Sequence, residues 1–212
     1  MFIEVWSDVV CPYCYLGNAQ LDAALGAFDH ASDVVIVPRA FELDPGMSRE
    51  GTMSAGELVA AKYRQPLHQV NQTHQRLGEA ANELGLEWNI DDARPTNTFD
   101  AHRLIEIARR ENLAREASSR LHQAYFAEGA LVSNIDTLVE LAHEIGLTNP
   151  ELIRDPSVGA TEVREDEDRA RQLGIQGVPA FVFDERFLVS GAQGVEGLLS
   201  ALEQVYNLSV SS

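Results

Sequence analysis

The middle of this chain restricts its fold more than any other feature. From about Gly51 to about Gly174 the apolar residues recur at helical spacing, and no convincing strand is found. Runs typical of strands lie on both sides of this stretch: Phe2 to Trp6, Asp33 to Phe41, Ala180 to Phe183 and Phe187 to Ser190. The pattern therefore predicts a sheet whose strands are separated in the sequence by a long helical segment.

The two flanking parts are predicted to be the halves of one α/β domain. Strand, helix and strand before the insert indicate a parallel βαβ unit. Its second strand is apolar nearly throughout, so burial on both faces is expected. The loop Asp184 to Arg186 suits an antiparallel hairpin, and an amphipathic helix follows. This is the order of a thioredoxin fold with an inserted all-helical domain. We place its first half at residues 1–48, the helical insertion domain and return helix at residues 49–174, and its second half at residues 175–212.

Amphipathic stripes predict the helices of the insert. Four stripes begin near Val70, Ala101, Ala117 and Ile135, and a less regular one begins near Val163. Four histidines lie on or beside these stripes, and satisfied structural roles are expected for them rather than roles as ligands: His74, His102, His122 and His143. The charge run from Glu162 to Asp168 is expected to form a solvated helix face.

The only two cysteines, Cys11 and Cys14, lie where the first strand gives way to the first helix. Residues three apart in a helix have Cα atoms about 5 to 5.5 Å apart, which allows a disulfide without backbone movement. Pro12 suits the first helical turn. Cys11 is expected to be the exposed nucleophile. The unpaired N–H groups at the helix N-terminus favour its thiolate over its thiol. Cys14, one turn deeper, is expected to be more covered and to resolve a mixed disulfide.

Two other interpretations of the cysteine pair stay open. A structural zinc site usually has four ligands, but the chain has no second cysteine pair, and His68 and His74 are slightly too far apart in sequence to replace one. No metal is therefore predicted. Free cysteine is also among the most buried residue types, so two inert core thiols are the second alternative.

Composition limits the partners and the compartment. A net charge of −17 argues against nucleic-acid binding, which needs clustered Lys and Arg. No apolar run approaches the length of a membrane span, and Glu4 and Asp8 stand where a signal peptide would be basic. We therefore expect a cytoplasmic protein without a membrane partner. In a reducing cytosol a lone cysteine pair is more often catalytic than structural.

The segment around Pro179 opens the third strand. In the predicted topology it lies beside the start of the first helix, where a cis proline would leave the main-chain N–H and C=O of Val178 free to hold an extended substrate. Asp8 could assist proton transfer to Cys14, but capping of the helix or a surface position is the preferred interpretation.

Four blocks of sequence, in order, closely resemble the DsbA-like thiol-disulfide oxidoreductases, and within them the FrnE-like cytoplasmic branch. They are Val9-Val10-Cys11-Pro12-Tyr13-Cys14-Tyr15-Leu16-Gly17, Asn97-Thr98-Phe99-Asp100-Ala101-His102-Arg103-Leu104, Ala124-Tyr125-Phe126-Ala127-Glu128-Gly129, and Gly174-Ile175-Gln176-Gly177-Val178-Pro179-Ala180-Phe181 with Val189-Ser190-Gly191-Ala192-Gln193. The resemblance implies Cys11 as nucleophile, Cys14 as resolving cysteine and a cis Pro179. Tyr13 departs from the Trp usual in that branch, so the redox potential of the family is not transferred.

The predicted function is disulfide exchange through a redox-active Cys11–Cys14 pair, as a cytosolic reductase or isomerase. Pro12, Tyr13, Val178 and Pro179 are the predicted substrate-binding residues. The expected partners are proteins or small molecules that carry thiols or disulfides. No further cofactor is expected, glutathione is a candidate co-substrate, and the chain is expected to be a monomer or a homodimer. The alternatives are a glutathione-dependent transferase or isomerase, of the kappa or hydroxychromene-carboxylate isomerase type, and a redox-insensitive binding protein or holdase.

Overall fold

The computed structural model describes residues 1–210, and within that range it has four strands and eight α-helices. The strands are β1 (Phe2–Ser7), β2 (Val35–Ala40), β3 (Ala180–Phe183) and β4 (Phe187–Ser190). The helices are α1 (Pro12–Gly26), α2 (Ala55–Tyr63), α3 (Leu67–Glu83), α4 (Phe99–Arg109), α5 (Ala114–Phe126), α6 (Ile135–Glu144), α7 (Ala160–Gln172) and α8 (Gly194–Val210). The helical periodicity predicted all of these helices except α2.

The strands form one sheet in the order β2-β1-β3-β4. β1 runs parallel to β2 and antiparallel to β3, and β3 and β4 form the antiparallel hairpin. This topology confirms the predicted thioredoxin fold. The expectation that the second strand is buried on both faces is wrong, because β2 is an edge strand and Val35 is 58% exposed. Pro38, which has no N–H for a further ladder, is compatible with an edge.

Side chains alternate between the two faces of the sheet, and each face is covered by helices. Ile3, Val5 and Phe181 pack with the buried residues of α1 and α8 on one face. Trp6 points to the other face, where it packs against Ala170 of α7, and its Nε1 donates a hydrogen bond to the main-chain oxygen of Asp166 at 3.0 Å. Both faces of the central strand β1 are therefore covered.

A separate helical core is built mainly from α4, α5 and α6. Val9 and Tyr15, on either side of the two cysteines, are buried in it. The loop that carries the cysteines is thereby held between the sheet and the helices. The predicted domain limits at residues 48 and 174 stay a prediction. None of the helices within residues 1–210 is long and apolar enough to cross a membrane.

The charge run from Glu162 to Asp168 lies in α7, and the expectation of a solvated face is wrong for two of its members. Asp166 and Glu167 are buried. The Asp166 carboxylate accepts hydrogen bonds from Arg39 at 2.7 Å and from the main-chain N–H of Ala40 at 3.0 Å. These contacts join α7 to β2, so part of the run stabilises the return of the chain to the sheet.

Candidate functional site

The two cysteines lie at the start of α1. Cys11 is the residue before the helix, Pro12 is its first residue, and the main-chain N–H of Cys14 donates to the Cys11 oxygen at 3.0 Å. The N–H of Cys11 in turn donates to the Asp8 oxygen at 3.0 Å. Both thiols are free. The predicted placement of the pair at a strand-to-helix junction is therefore what the structure shows.

The expectation that Cys11 is exposed is wrong. Its exposed fraction is 3%, and Cys14 is completely buried. Cys11 nevertheless lines a cavity of about 700 Å³. A substrate would therefore reach the Cys11 sulfur through this cavity, whereas Cys14 does not line it.

The loop before β3 closes one side of the sulfur. The Val178–Pro179 peptide bond is cis. The Cys11 Sγ donates a hydrogen bond to the main-chain oxygen of Val178 at 3.7 Å. Residues that are about 167 positions apart in the chain thus meet at the helix start.

The predicted substrate-binding residues divide into two groups. Pro12, Tyr13 and Val178 line the cavity together with Cys11. Tyr13 is 48% exposed, so its ring stands at the rim. Pro179 is buried and does not line the cavity. Its ring lies against Gly17 of α1 instead.

Most of the remaining cavity wall was not predicted. Apolar side chains from α2, α3 and the segment after β2 dominate it: Leu43, Met47, Leu58, Val59, Val70 and Leu77. The charged side chains Asp44 and Lys62 also line it and form an ion pair at 3.6 Å. The wall is therefore largely apolar, with few charges to recognise an ionic ligand.

Helix α2 contributes to this wall although its sequence shows no clear apolar stripe. A capping box marks its start: Ser54 Oγ accepts from the N–H of Glu57 at 3.2 Å, and the Glu57 carboxylate accepts from the N–H of Ser54 at 2.9 Å. The pattern Ser-x-x-Glu is a helix-start signal in its own right. It was the sequence signal that could have revealed α2.

Comparison with known families identifies this arrangement. The family described as DSBA-like thioredoxin domain matches residues 2–203. The chain belongs to the DsbA-like thioredoxin domain family. This membership confirms the resemblance to the DsbA-like family, and it makes the protein a member of an oxidoreductase family.

The relatives of this DsbA-like protein span nearly its whole length. A probable DsbA oxidoreductase from Streptomyces coelicolor has a TM-score of 0.92 and 38% sequence identity, with 98% of this chain and 90% of that chain covered. The uncharacterized protein YwbO of Bacillus subtilis is 29% identical over 201 residues, which cover 91% of this chain and 90% of YwbO. The cytosolic disulfide reductase DsbM of Pseudomonas aeruginosa shares the fold, with a TM-score of 0.67, 16% identity and coverage of 98% and 100%.

Beneath the cysteines of this DsbA-like protein lies a buried carboxylate. Asp8 is 1% exposed, which contradicts the expected surface position, and the described residues give α1 no side-chain cap. Its Oδ2 accepts a hydrogen bond from the N–H of Leu43 at 2.7 Å, and its Oδ1 lies 3.4 Å from Nε2 of His102. His122 Nε2 lies 3.3 Å from the main-chain oxygen of Asp8. Two buried histidines therefore flank this residue.

The burial of these groups changes how they ionise. Burial raises the pKa of Cys14 well above its ordinary value, and the neighbouring Cys11 and the Asp8 carboxylate raise it further. Burial alone would lower the pKa of His102, but the Asp8 carboxylate raises it, so that the net shift is upward. Burial also lowers the pKa of His122, and there the net shift is downward. At neutral pH Cys14 is thus a thiol, while His102 favours its charged form more than His122 does.

Proposed function

We propose that the protein is a thiol-disulfide oxidoreductase in which Cys11 is the nucleophile and Cys14 the resolving cysteine. The observation that carries the proposal is the contact of 3.7 Å between Cys11 Sγ and the Val178 oxygen at the edge of a cavity of about 700 Å³. A nucleophilic sulfur beside a main-chain segment that can pair with an extended chain is the arrangement needed to hold and attack a substrate disulfide.

The reaction proceeds in two exchanges. The Cys11 thiolate attacks one sulfur of the substrate disulfide, a Cys11–substrate disulfide forms, and the other substrate sulfur leaves as a thiolate. Cys14 then attacks the Cys11 sulfur, so that the Cys11–Cys14 disulfide forms and the second substrate thiolate leaves. The substrate is reduced by two electrons and the enzyme dithiol is oxidised. Val178 holds the substrate backbone, while Pro12 and Tyr13 contact its side chains at the cavity.

The redox-active Cys11–Cys14 pair is the only cofactor of the proposed reaction. In the cytosol, where thiols keep such a pair mostly reduced, net reduction or isomerisation of substrate disulfides is favoured over oxidation. The substrates are proteins or small molecules that carry disulfides, and glutathione is a candidate donor of electrons. The proposed placement within the family is the FrnE-like cytoplasmic branch.

Reduction of insulin disulfides tests the proposal. Wild-type protein with a thiol donor should reduce insulin with turnover, and Cys11→Ser should abolish this activity. Cys14→Ser is the matched control, because it removes a sulfur at the same helix start but leaves the nucleophile. It should stop turnover while still forming one mixed disulfide for each protein molecule. Undiminished turnover by Cys11→Ser would refute the assignment.

A second candidate function is favoured by the largely apolar cavity wall. A glutathione-dependent transferase or isomerase would enclose a small apolar substrate there and would use Cys11 only to bind or activate glutathione. Such an enzyme has no need of Cys14. Full activity of Cys14→Ser on small apolar substrates with glutathione, together with no insulin reduction by the wild type, would favour this candidate.

A further inference from the structure

The cavity beside Cys11 carries two hydroxyl groups that the proposed exchange does not use. They belong to Thr98, which precedes α4, and to Tyr125 on α5. Both residues line the cavity, and their exposed fractions are only 3% and 1%. Within residues 1–210 neither hydroxyl forms a hydrogen bond with another residue. Buried polar side chains are nearly always hydrogen-bonded, so two exceptions on the wall of one cavity need an explanation.

Neither hydroxyl oxygen is sealed among protein atoms. Four residues within 1–210 do have a side-chain nitrogen or oxygen that is fully covered and lacks a hydrogen bond: Asp8, His102, Arg109 and Arg120. Thr98 and Tyr125 are not among them, so each of their hydroxyl oxygens keeps accessible surface. Since both residues line the cavity, a molecule that enters it can reach these oxygens.

Thr98 stands where a hydroxyl usually serves the helix. It is the N-cap residue of α4, a position at which threonine commonly accepts a hydrogen bond from the first helical turn, but its side chain makes no such bond. The Asn97 Oδ1 accepts from the N–H of Phe99 at 3.1 Å instead. The Thr98 main-chain oxygen accepts from the N–H of His102 at 2.9 Å. The backbone of Thr98 is therefore fixed while its hydroxyl stays available.

The Tyr125 ring is fixed by packing. It belongs to the helical core and meets the Phe126 ring edge to face, with 4.8 Å between the ring centroids and 85° between the ring planes. Burial raises the pKa of Tyr125, so the phenol is neutral at physiological pH and can donate a hydrogen bond. A donor that is already held in place loses little conformational freedom when a ligand binds.

The surroundings of the two hydroxyls favour a neutral ligand group. His74 lines the same cavity, and burial lowers its pKa, so its imidazole is uncharged at neutral pH. The cation Lys62 is already paired with Asp44, and the buried Asp8 carboxylate repels an anion. A hydroxyl can both donate and accept a hydrogen bond. An amide matches such a wall, because it carries one acceptor, one donor and no charge.

We infer that the hydroxyls of Thr98 and Tyr125 form an amide subsite, which binds a neutral amide of the substrate next to the disulfide that reaches Cys11. The inference rests on the proposed function and names its substrate class: peptide or polypeptide disulfides, in which amides flank every half-cystine, are preferred over disulfides without amides. The helical part of the chain thus binds the amide, while the start of α1 presents the sulfur. The two hydroxyls contact the substrate away from the reacting sulfurs, so they determine specificity.

Two neutral disulfides of the same shape test the amide subsite: the bis(methylamide) and the dimethyl ester of dithiodipropionic acid. The ester differs only in having an oxygen in place of each N–H. Reduced protein is mixed with increasing probe and quenched with a polymer-linked maleimide, and gel mobility gives the dithiol that remains. The concentration dependence yields a half-saturating concentration and a maximal rate. The rate of each probe with a small free thiol corrects for its intrinsic reactivity.

The wild-type protein should be half-saturated by the amide at a concentration about three- to tenfold lower than by the ester, the effect of about one neutral hydrogen bond. Tyr125→Phe and Thr98→Val should each raise the value for the amide by about three- to tenfold and the value for the ester by less. The maximal rates should stay within about twofold, because neither hydroxyl touches the reacting sulfurs.

Thr96→Val and Tyr15→Phe are matched controls for the two changes. Thr96 also lines the cavity, but its Oγ1 donates to the Ser48 oxygen at 3.1 Å. The Tyr15 hydroxyl donates to the Glu87 oxygen at 3.3 Å, and Tyr15 does not line this cavity. Both controls should keep the preference for the amide over the ester.

Stability separates the two pairs of variants in the opposite sense. The controls should lower the urea midpoint, because each breaks a hydrogen bond that the folded chain makes. Thr98→Val and Tyr125→Phe should keep the midpoint or raise it, because each removes a buried polar group that no residue satisfies. A polar group that costs stability and improves binding is the signature of a ligand site.

Equal half-saturation by amide and ester in the wild type, or an amide preference that survives both Thr98→Val and Tyr125→Phe, would overturn the inference. A lowered midpoint in these two variants with an unchanged preference would also overturn it, because the hydroxyls would then be structural. If one variant does not fold, the other and the wild-type comparison decide. Failure of both probes to oxidise the dithiol would contradict the proposed function itself. Oxidation that depends on Cys11 but shows no amide preference would contradict only this inference.

Discussion

The Cβ atom that Gly17 lacks would lie 2.8 Å from Cγ of Pro179. The same added Cβ would lie 3.4 Å from the ring of Phe181. Helix α1 can therefore approach the loop before β3 only because residue 17 has no side chain. Cys11 immediately precedes this helix and Val178 immediately precedes Pro179. The contact at Gly17 therefore sets the spacing between the proposed nucleophile and the main chain of Val178.

Gly17→Ala should therefore push the loop away and lower the rate of insulin reduction by at least about tenfold, since a misplacement of about 1 Å can cost about 10²-fold in rate. Gly26→Ala is the control, because it lies in the same helix and its Cβ would meet nothing within 4 Å. That change should keep the activity and raise the free energy of unfolding by about 0.5–1 kcal/mol. Insulin assays and thermal unfolding measure both effects. Wild-type activity in Gly17→Ala would show that the spacing does not matter.

Cys11 should be alkylated faster than Cys14 in the reduced protein. Cys11 lines the cavity, through which a reagent can reach its sulfur. Cys14 is completely buried, and burial raises its pKa. We expect at least a tenfold difference in labelling, about the effect of one pKa unit. A short iodoacetamide pulse followed by peptide mass spectrometry measures it, and equal labelling would reverse or remove the assigned roles.

Cys14→Ser should accumulate mixed disulfides with substrates, because the attack by Cys11 proceeds and its resolution does not. Non-reducing gels of cell extract should then show adducts that disappear on reduction. The double change Cys11→Ser and Cys14→Ser is the control. Adducts that persist in it would come from other chemistry.

Glu106 on α4 predicts how stability depends on pH. The pKa of Glu106 is raised from its ordinary value of 4.5 to about 7, chiefly by burial. The Arg109 charge lowers this pKa, and the Asp166 carboxylate raises it. Between these two values the native protein holds a proton that the unfolded chain has lost. The free energy of unfolding therefore falls as the pH rises through this window, by up to about 3 kcal/mol.

Glu106→Gln should flatten this fall. The exposed Glu140 on α6 provides the control, since Glu140→Gln should keep the wild-type pH dependence. Urea unfolding at about pH 5 and about pH 8 measures the difference for each protein. A wild-type fall that persists unchanged in Glu106→Gln would assign the pH dependence to other groups.

Local sequence patterns were enough to predict the order of the strands and helices. The predictions failed where burial depends on how these elements pack together. The stripe of Ala101, Leu104 and Ile105 predicts α4 because helical spacing and burial coincide there. The apolar run of β2 was misjudged, because apolar composition does not distinguish an edge strand from a central one. The proline at position 38 was the available correction.

The charged residues show the same limit more clearly. Val163 and Ala170 mark the buried face of α7, and Asp166 and Glu167 lie on that same face at helical spacing. The burial of both carboxylates could have been inferred from the helical period. The partner of Asp166 could not, because Arg39 comes from β2, over 120 residues earlier.

The cysteines and Pro179 could be located from the sequence, because each stands in a distinctive motif. The pairing of Asp8 with His102 could not be located, since no sequence motif links the two residues and the contact joins the loop before α1 to α4, far later in the chain. A buried ion pair between distant elements is visible only after folding.

Helix α2 forms one wall of the cavity. It is separate in sequence from the loop that carries the two cysteines, and it packs chiefly against α3. Changes at Leu58, Val59 or Lys62 therefore alter which molecules enter without disturbing the surroundings of the two sulfurs. Part of the cavity wall, and with it part of the proposed substrate selectivity, is thus encoded outside the segment that carries the two sulfurs. A lineage can acquire new substrates by altering α2 while it inherits its sulfur chemistry intact, and a designer can graft that helix for the same purpose.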